Sequence, residues 1–89
     1  MRKIEQNMLQ AVLNCRDWHE DNTSVIGGAV YLHGNRIAYR DTLTRLWVAD
    51  AATLAQWPTN TTRSRLRALG FTVKGSSVTG PNPKLNGSI

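Results

Sequence analysis

The 89-residue chain has one cysteine, three prolines and no long apolar segment. Because Cys15 alone cannot form an internal disulfide, a small core or a partner subunit must stabilise the fold. No stretch approaches the ~20 apolar residues of a membrane span, and the amino-terminal residues lack the apolar centre of a signal peptide. We therefore expect a cytoplasmic protein without a membrane partner, and the length allows a single domain.

Acidic residues are missing from the second half of the chain. All six lie in the first 50 positions, where six basic residues balance them. The net charge of +5 therefore belongs to residues 51–89, whose basic residues are Arg63, Arg65, Arg67, Lys74 and Lys84. This asymmetry favours a positive surface that attracts polyanions through counterion release and steering. The alternative is a surface whose excess charge only maintains solubility.

Motifs of catalysis and cofactor binding are also missing. The sequence has no Gly-x-Gly-x-x-Gly, no P-loop and no zinc-finger spacing. Its one cluster of potential ligands, residues 17–21 (DWHED), is consecutive and cannot converge on one ion, so we expect a solvated loop. Cys15 falls on an apolar helical stripe, which indicates a core residue rather than a nucleophile. We expect neither enzymatic activity nor a metal or cofactor.

The spacing of apolar residues predicts an α+β domain. Ile4, Met8, Ala11 and Val12 share one helical face, which predicts a helix over residues 2–15 followed by a polar connection over 16–22. Short β-branched and aromatic runs separated by glycines predict an antiparallel meander with strands at 23–26, 29–33, 36–40 and 43–49. The inferred register has a Gly34-Asn35 turn and points these side chains inward: Val30, Leu32, Ile37 and Tyr39.

The last third of the chain predicts a second helix and a short hairpin. Residues 51–57 are helix-compatible but short, and Pro58 ends them. Residues 59–62 (TNTT) offer N-cap side chains before a helix over Arg63–Leu69, and Gly70 marks its end. We predict that the helix packs through Leu66 and Leu69. A C-terminal hairpin over 71–74 and 77–79 completes a single domain, residues 1–79, and residues 80–89 are predicted to form a flexible tail.

The start of the second helix is the first candidate site. Arg63 and Arg67 lie four residues apart, where like charges repel unless an anion joins them. Hydroxyl groups and free N–H groups at a helix N-terminus can hold a phosphate. The pattern predicts phosphate contacts from Arg63, Arg65 and Arg67, assisted by Thr61, Thr62 and Ser64. The alternative is that residues 59–62 only cap the helix, while the arginines are solvated or pair with the first helix or Asp50.

The outward face of the sheet is the second candidate site. In the predicted register it carries aromatic rings interleaved with arginines: Tyr31, Arg36, Arg40, Arg45 and Trp47. Such a surface suits single-stranded nucleic acid, because bases stack on rings while cations follow the backbone. The alternative is that the first helix or a partner chain covers this face. Tyr31 and Trp47 would then be packing residues.

Two segments carry a resemblance to a known group of proteins. They are Leu32-His33-Gly34-Asn35 and residues 57–66, which fit the pattern Trp-x-Thr-x-Thr-Thr-x-Ser-Arg-Leu. In these segments, and in the Asn-Thr-x-Val strand at 22–25, the chain resembles a group of small proteins of tailed bacteriophages over roughly residues 2–70. The resemblance implies an early or accessory phage protein, involved in host takeover in the bacterial cytoplasm. It implies no particular activity.

These observations together predict a small basic phage accessory protein that binds nucleic acid without catalysis. The basic helix start would contact the phosphate backbone, with DNA preferred to RNA. The alternative function is inhibition or modulation of a host polymerase, nuclease or defence factor, with Tyr31 and Trp47 as interface anchors. An acidic host protein would suit the positive surface, and a homodimer is compatible with either function.

Overall fold

The computed structural model describes residues 2–79, which form three helices and seven strands. In chain order these are α1 (Lys3–Leu13), β1 (Trp18–Glu20), β2 (Thr23–Ile26), β3 (Ala29–Leu32), β4 (Asn35–Arg40), β5 (Trp47–Ala49), α2 (Ala51–Gln56), α3 (Asn60–Ala68), β6 (Thr72–Lys74) and β7 (Ser77–Thr79). The predicted α+β class is confirmed, with its amino-terminal helix, antiparallel meander, later helix and C-terminal hairpin. The predicted tail, residues 80–89, lies outside the described residues.

The first five strands form one antiparallel sheet in chain order, and β6 pairs with β7 separately. One face of the large sheet packs against the helices. A single buried cluster joins both layers and consists mainly of Met8, Ala11, Val12, Val25, Val30, Leu32, Ile37, Ala38, Leu54, Leu66, Leu69, Phe71 and Val73. No described helix is long and apolar enough to cross a membrane.

Helix α1 buries the predicted apolar stripe but ends before Cys15, which the prediction placed on the same stripe. Met8 and Ala11 are fully buried and Val12 nearly so. The helix ends at Leu13, and Cys15 takes a positive φ of 52° beyond the C-cap. The prediction that Cys15 is a core residue is wrong, because this turn leaves the cysteine exposed.

The segment predicted to be a polar connection contains strand β1. Trp18 pairs with Val25 and Glu20 with Thr23, and Trp18 packs against the core. The strand separates the potential ligands: Asp17 accepts a hydrogen bond from the Gly27 N–H, and Glu20 accepts one from Asn7. Within residues 2–79, no three such side chains are grouped as a metal ion would require.

The turn between β3 and β4 lies one residue earlier than predicted. His33 and Gly34 both have positive φ, 52° and 79°, and Leu32 pairs with Asn35. This is the pattern of a two-residue hairpin turn whose twist matches that of the strands. The Gly34-Asn35 turn inferred from sequence is therefore wrong.

A β-bulge then changes the direction of the β4 side chains. Tyr31 pairs with Arg36 and Val30 with Ala38, so Ile37 is an extra residue on β4. Consecutive side chains, Ile37 and Ala38, are consequently both buried. The next residue, Tyr39, is half-buried on the opposite face. The inward placement of Val30, Leu32 and Ile37 is confirmed, whereas that of Tyr39 is wrong.

Strand β5 is shorter than predicted and its faces are reversed. Residues 41–46 form a loop in which an oxygen of the Asp41 carboxylate accepts hydrogen bonds from the N–H groups of Leu43 and Thr44, at 2.8 and 3.2 Å. Trp47 consequently packs against the core, while Leu46 and Val48 are each 37% exposed. The prediction that Trp47 lies on the outward face is wrong.

Helix α3 begins three residues earlier than predicted. Thr59 is its N-cap and accepts a hydrogen bond from the Thr62 N–H at 3.1 Å. At the other end Gly70 has a φ of 102°, its N–H donates to the Arg67 carbonyl, and the Phe71 N–H donates to the Leu66 carbonyl. These two bonds form a Schellman motif, which confirms Gly70 as the end of the helix. The predicted packing residues, Leu66 and Leu69, are fully buried.

Candidate nucleic-acid-binding surfaces

Arg65 on α3 lies in the protein interior rather than on its surface. Its guanidinium donates to Glu5 Oε2 at 2.9 Å and to Thr23 Oγ1 at 3.1 Å. The side chains of Arg65 and Glu5 are each only 4% exposed. A buried cation needs partners of this kind, because the loss of hydration must be offset by charge and hydrogen bonds. The prediction that Arg65 contacts phosphates is wrong, and the alternative of pairing with the first helix is confirmed for this residue.

Glu5 is held in its charged form by the same cluster. Burial by itself would raise the pKa of the Glu5 carboxyl. Hydrogen bonds from the Ser64 hydroxyl, from Arg65 and from the Arg2 backbone N–H, together with the Arg65 charge, outweigh burial and lower the pKa below its ordinary value. Ser64 is therefore engaged in the α1–α3 contact.

The two remaining α3 arginines are bound to nearby groups of their own chain. Arg63 donates to the Pro58 carbonyl at 2.8 Å and to the Asn60 side chain. Arg67 donates to the Val73 carbonyl at 3.1 Å. Of the predicted threonines, Thr62 is buried and bonded to Thr59, and Thr61 is half-buried. The six predicted residues therefore do not form one exposed cradle at the start of the helix.

The face of the large sheet opposite the helices carries a different set of groups. We call it the open face and define it by Tyr31, Arg36 and Tyr39, which line one shallow groove. No described helix covers it, and at its border Ile26 is 52% exposed. Strand pairing explains the arrangement, since Tyr31 and Arg36 are cross-strand partners and the bulge returns Tyr39 to the same side.

Arg36 fixes the geometry of the open face. Its guanidinium carbon lies 4.1 Å from the centre of the Tyr39 ring, a cation–π distance. The same guanidinium contacts Asp50 Oδ2 at 3.2 Å. Half of the Arg36 side chain remains exposed, and screening weakens such a surface ion pair. The open face therefore presents two aromatic rings, of which Tyr39 is held by a cation.

A group of arginines lies where the open face meets the β2–β3 turn. We call it the arginine corner and define it by Arg16, Arg40 and Arg45 around Gly27-Gly28. Arg40 and the two glycines line a cavity with Arg16, a second with Arg45 and the open-face groove itself. Within residues 2–79 none of these three arginine side chains makes a hydrogen bond or an ion pair. Their charges are available to an external anion.

Two carboxylates stand near the arginine corner but are used by the backbone. Asp17 lines the cavity that contains Arg16, and one of its oxygens accepts from the Gly27 N–H at 3.1 Å. Asp41 lines the cavity that contains Arg45, and one of its oxygens accepts the two loop N–H groups described above. Three positive and two negative side chains therefore leave the corner net positive.

The sequence prediction and the structure overlap in part at this surface. Tyr31 and Arg36 lie together on the open face, and Arg40 lines the same groove. Arg45 shares a cavity with Arg40 but does not line that groove, and Trp47, the cross-strand partner of Arg40, packs against the core. Tyr39 and Arg16 were missed. Tyr39 could have been placed on the open face only if the β4 bulge had been predicted. Arg16 lies before the strands in sequence and reaches the corner because α1 ends beside it.

Comparison with known proteins places the chain in a family. No curated protein and no solved structure gives a significant match. The model of the Kyanoviridae Gp96 protein family matches residues 1–83, which is nearly the whole chain. The protein therefore belongs to the Kyanoviridae Gp96 family of phage proteins.

Proposed function

We propose that this phage protein binds single-stranded nucleic acid on the open face, without catalysis. The carrying observation is that this face is free of described helices and presents Tyr31 and Tyr39 on neighbouring strands, beside Arg40, whose side chain makes no hydrogen bond or ion pair within residues 2–79. Bases would stack on the rings, and Arg40 and Arg45 would contact phosphates. We expect an accessory role in the host cytoplasm and retain the expectation of DNA over RNA.

The magnitudes support the open face. Stacking of a base on an aromatic side chain is worth about 1–3 kcal/mol, and two rings therefore suffice for a modest, sequence-tolerant affinity. Each phosphate neutralised on a single strand adds a salt-dependent contribution. Free arginines gain the full charge-assisted hydrogen bond, because no internal bond has to be broken first.

The same reasoning argues against the start of α3. Arg63 would have to release the Pro58 carbonyl and the Asn60 side chain before binding a phosphate. Thr59 already occupies the Thr62 N–H at the helix N-terminus. We therefore move the proposed nucleic-acid site from α3 to the open face.

The test is fluorescence anisotropy with single-stranded DNA, duplex DNA and single-stranded RNA of one sequence, measured from low to physiological salt. Tyr31→Ala should weaken single-strand binding about tenfold or more, the loss of one stacked base. Trp57→Ala is the matched control, because Trp57 is a 47% exposed aromatic residue beside the N-cap of α3.

Three results would contradict the proposal. The first is no binding of any strand near physiological salt. The second is an equal loss in Tyr31→Ala and Trp57→Ala, which would show that the open face has no special part in binding. A preference for duplex DNA would likewise exclude base stacking as the main interaction.

Modulation of a host protein is the second candidate function. It is favoured by the exposed apolar side chains along the β5 edge of the sheet: Leu43, at 93% exposure, with Leu46 and Val48. Trp47 no longer serves as an anchor, because it packs against the core. A pull-down from nuclease-treated host lysate tests this function. A stoichiometric host protein retained by the wild type and lost in Leu43→Ser would support it, and no retained protein would contradict it.

A further inference from the structure

The cavity under the arginine corner combines three kinds of surface. It lies on the helix side of the sheet and measures about 230 Å³. Its apolar floor is formed by Val12, Val25 and Trp47, while Arg16 and Arg40 stand at its edge. The cavity is thus distinct from the open face, with which it shares only Arg40 and the Gly27-Gly28 turn.

The charges at the cavity favour an anion. The side chains of Arg16 and Arg40 make no hydrogen bond or ion pair within the described residues, and one oxygen of Asp17 already accepts the Gly27 N–H. Two positive charges against one negative charge leave the cavity mouth net positive. Both arginines line this cavity, and the guanidinium group is a planar donor that suits phosphate.

The size and the floor favour a flat ring attached to that anion. A volume of 230 Å³ lies below the roughly 300–1,000 Å³ of pockets that enclose drug-sized ligands, so only part of a larger molecule fits inside. An aromatic ring can lie against Trp47 while its charged group stays at the mouth beside the arginines. The second oxygen of Asp17 can accept a hydrogen bond from a hydroxyl or amino group of the same molecule.

From this combination we infer a binding site for a nucleoside monophosphate. The base contacts Trp47 and the apolar floor, the phosphate contacts Arg16 and Arg40, and Asp17 accepts from a ribose hydroxyl or from an exocyclic amino group. This site shares Arg40 with the proposed strand-binding surface, whereas Arg16 and Trp47 line the cavity and not the open-face groove.

The only cysteine of the chain provides a direct test in the wild-type protein. Cys15 is exposed and lines the same cavity, so a bound nucleotide should slow its alkylation by iodoacetamide. The probes are AMP, GMP, CMP and UMP, with adenosine and inorganic phosphate as controls. We expect saturable protection by at least one nucleotide and weaker protection by either control, since each control lacks one half of the recognised molecule.

A matched pair of variants locates the phosphate contact. Arg16→Gln should raise the nucleotide concentration that gives half-protection by about tenfold, the cost of one charge-assisted hydrogen bond. Arg67→Gln removes the same charge from a surface outside the cavity and should leave protection unchanged. Tryptophan fluorescence of a Trp57→Phe variant, which retains Trp47, gives a second readout that does not depend on cysteine chemistry.

Three outcomes would overturn the inference: no protection by any of the four nucleotides at millimolar concentration, protection by inorganic phosphate equal to that by nucleotides, and equal effects of Arg16→Gln and Arg67→Gln. The Tyr31→Ala variant separates this site from the proposed function. It should weaken single-strand binding while nucleotide protection of Cys15 persists.

Discussion

The arginines of α3 and those of the arginine corner differ in how their side chains are used, although the sequence pattern predicted nucleic-acid contacts for members of both groups. On α3, Arg63, Arg65 and Arg67 all donate hydrogen bonds to groups of their own chain. At the corner, the side chains of Arg16 and Arg40 have no such partner within the described residues. Local charge density therefore does not identify a binding surface; what matters is whether the fold has already satisfied the donors.

The largest effect on stability is expected from replacing Arg65, the buried arginine of α3. Arg65→Met should lower the free energy of unfolding by about 3–5 kcal/mol, because Glu5 would keep a buried charge without its partner. Urea denaturation followed by circular dichroism measures this. Arg63→Met is the matched control and should cost less than about 1 kcal/mol, as expected for a partly exposed arginine. Adding Glu5→Met to Arg65→Met should recover most of the stability, and a double variant no more stable than the single one would contradict the pairing.

The next effect concerns the charges that the corner offers to a ligand. Arg40→Gln with Arg45→Gln should weaken single-strand binding at least tenfold and reduce the slope of log K against log salt by about 1.4, the loss of two phosphate contacts. Arg63→Gln with Arg67→Gln removes the same charge from α3 and should change the slope less. Anisotropy titrations at several salt concentrations measure both pairs. Equal slopes in the two double variants would contradict the claim that the arginines of the corner, and not those of α3, contact the nucleic acid.

Lowering the pH should reduce the free energy of unfolding through the Glu5–Arg65 pair, whereas the arginines of the corner keep their charge. The lowered pKa of Glu5 stabilises the fold fully above the ordinary glutamate pKa of about 4.3, and this contribution is lost as the pH falls through the lowered folded value. Glu5→Gln should therefore show a shallower loss of stability below about pH 4.5 than the wild type does, measured by thermal unfolding across pH. Parallel pH profiles would contradict the assignment.

The smallest effect is expected at the glycine turn of the corner. Gly28 has a φ of 80°, and a Cβ there would meet no atom within 4 Å. Gly28→Ala should thus cost only the backbone strain, roughly 1–2 kcal/mol, and Gly28→Asn should cost less, because asparagine tolerates the left-handed region. Thermal unfolding of the two variants gives the comparison. An asparagine variant less stable than the alanine variant would show that side-chain contacts, and not backbone strain, determine the loss of stability.

Much of the fold could be predicted because its signals are local. The apolar stripe of α1, the glycine turns and the Gly70 helix end each act within a few residues. Strand β1 was missed because its polar residues acquire a strand conformation only by pairing with β2. The faces of β4 and β5 were assigned wrongly at Tyr39 and Trp47, since a bulge or a loop that shifts the register by one residue exchanges the two sides of a strand.

The candidate site was harder to predict because it depends on contacts between residues that are distant in sequence. Which arginine is buried depends on Glu5, which is 60 residues from Arg65 along the chain. The charge pattern alone could not distinguish Arg65 from its neighbours on α3. The prediction of an aromatic and basic sheet face depended on alternation along β3 and β4. It held at Tyr31 and Arg36, because a turn one residue earlier shifts the pairing by two residues and leaves both side chains on the same face.

The separation of 60 residues between Glu5 and Arg65 also orders events during synthesis of the protein. Each strand of the large sheet pairs with the next one to be made, so hairpins can form as the chain emerges. At about 5–20 residues per second, Glu5 waits roughly 3–12 s for the codon of Arg65 to be translated. Until then, the inner face of α1 carries a carboxylate without its cation, so the contact between α1 and α3 is completed only after α3 has been made.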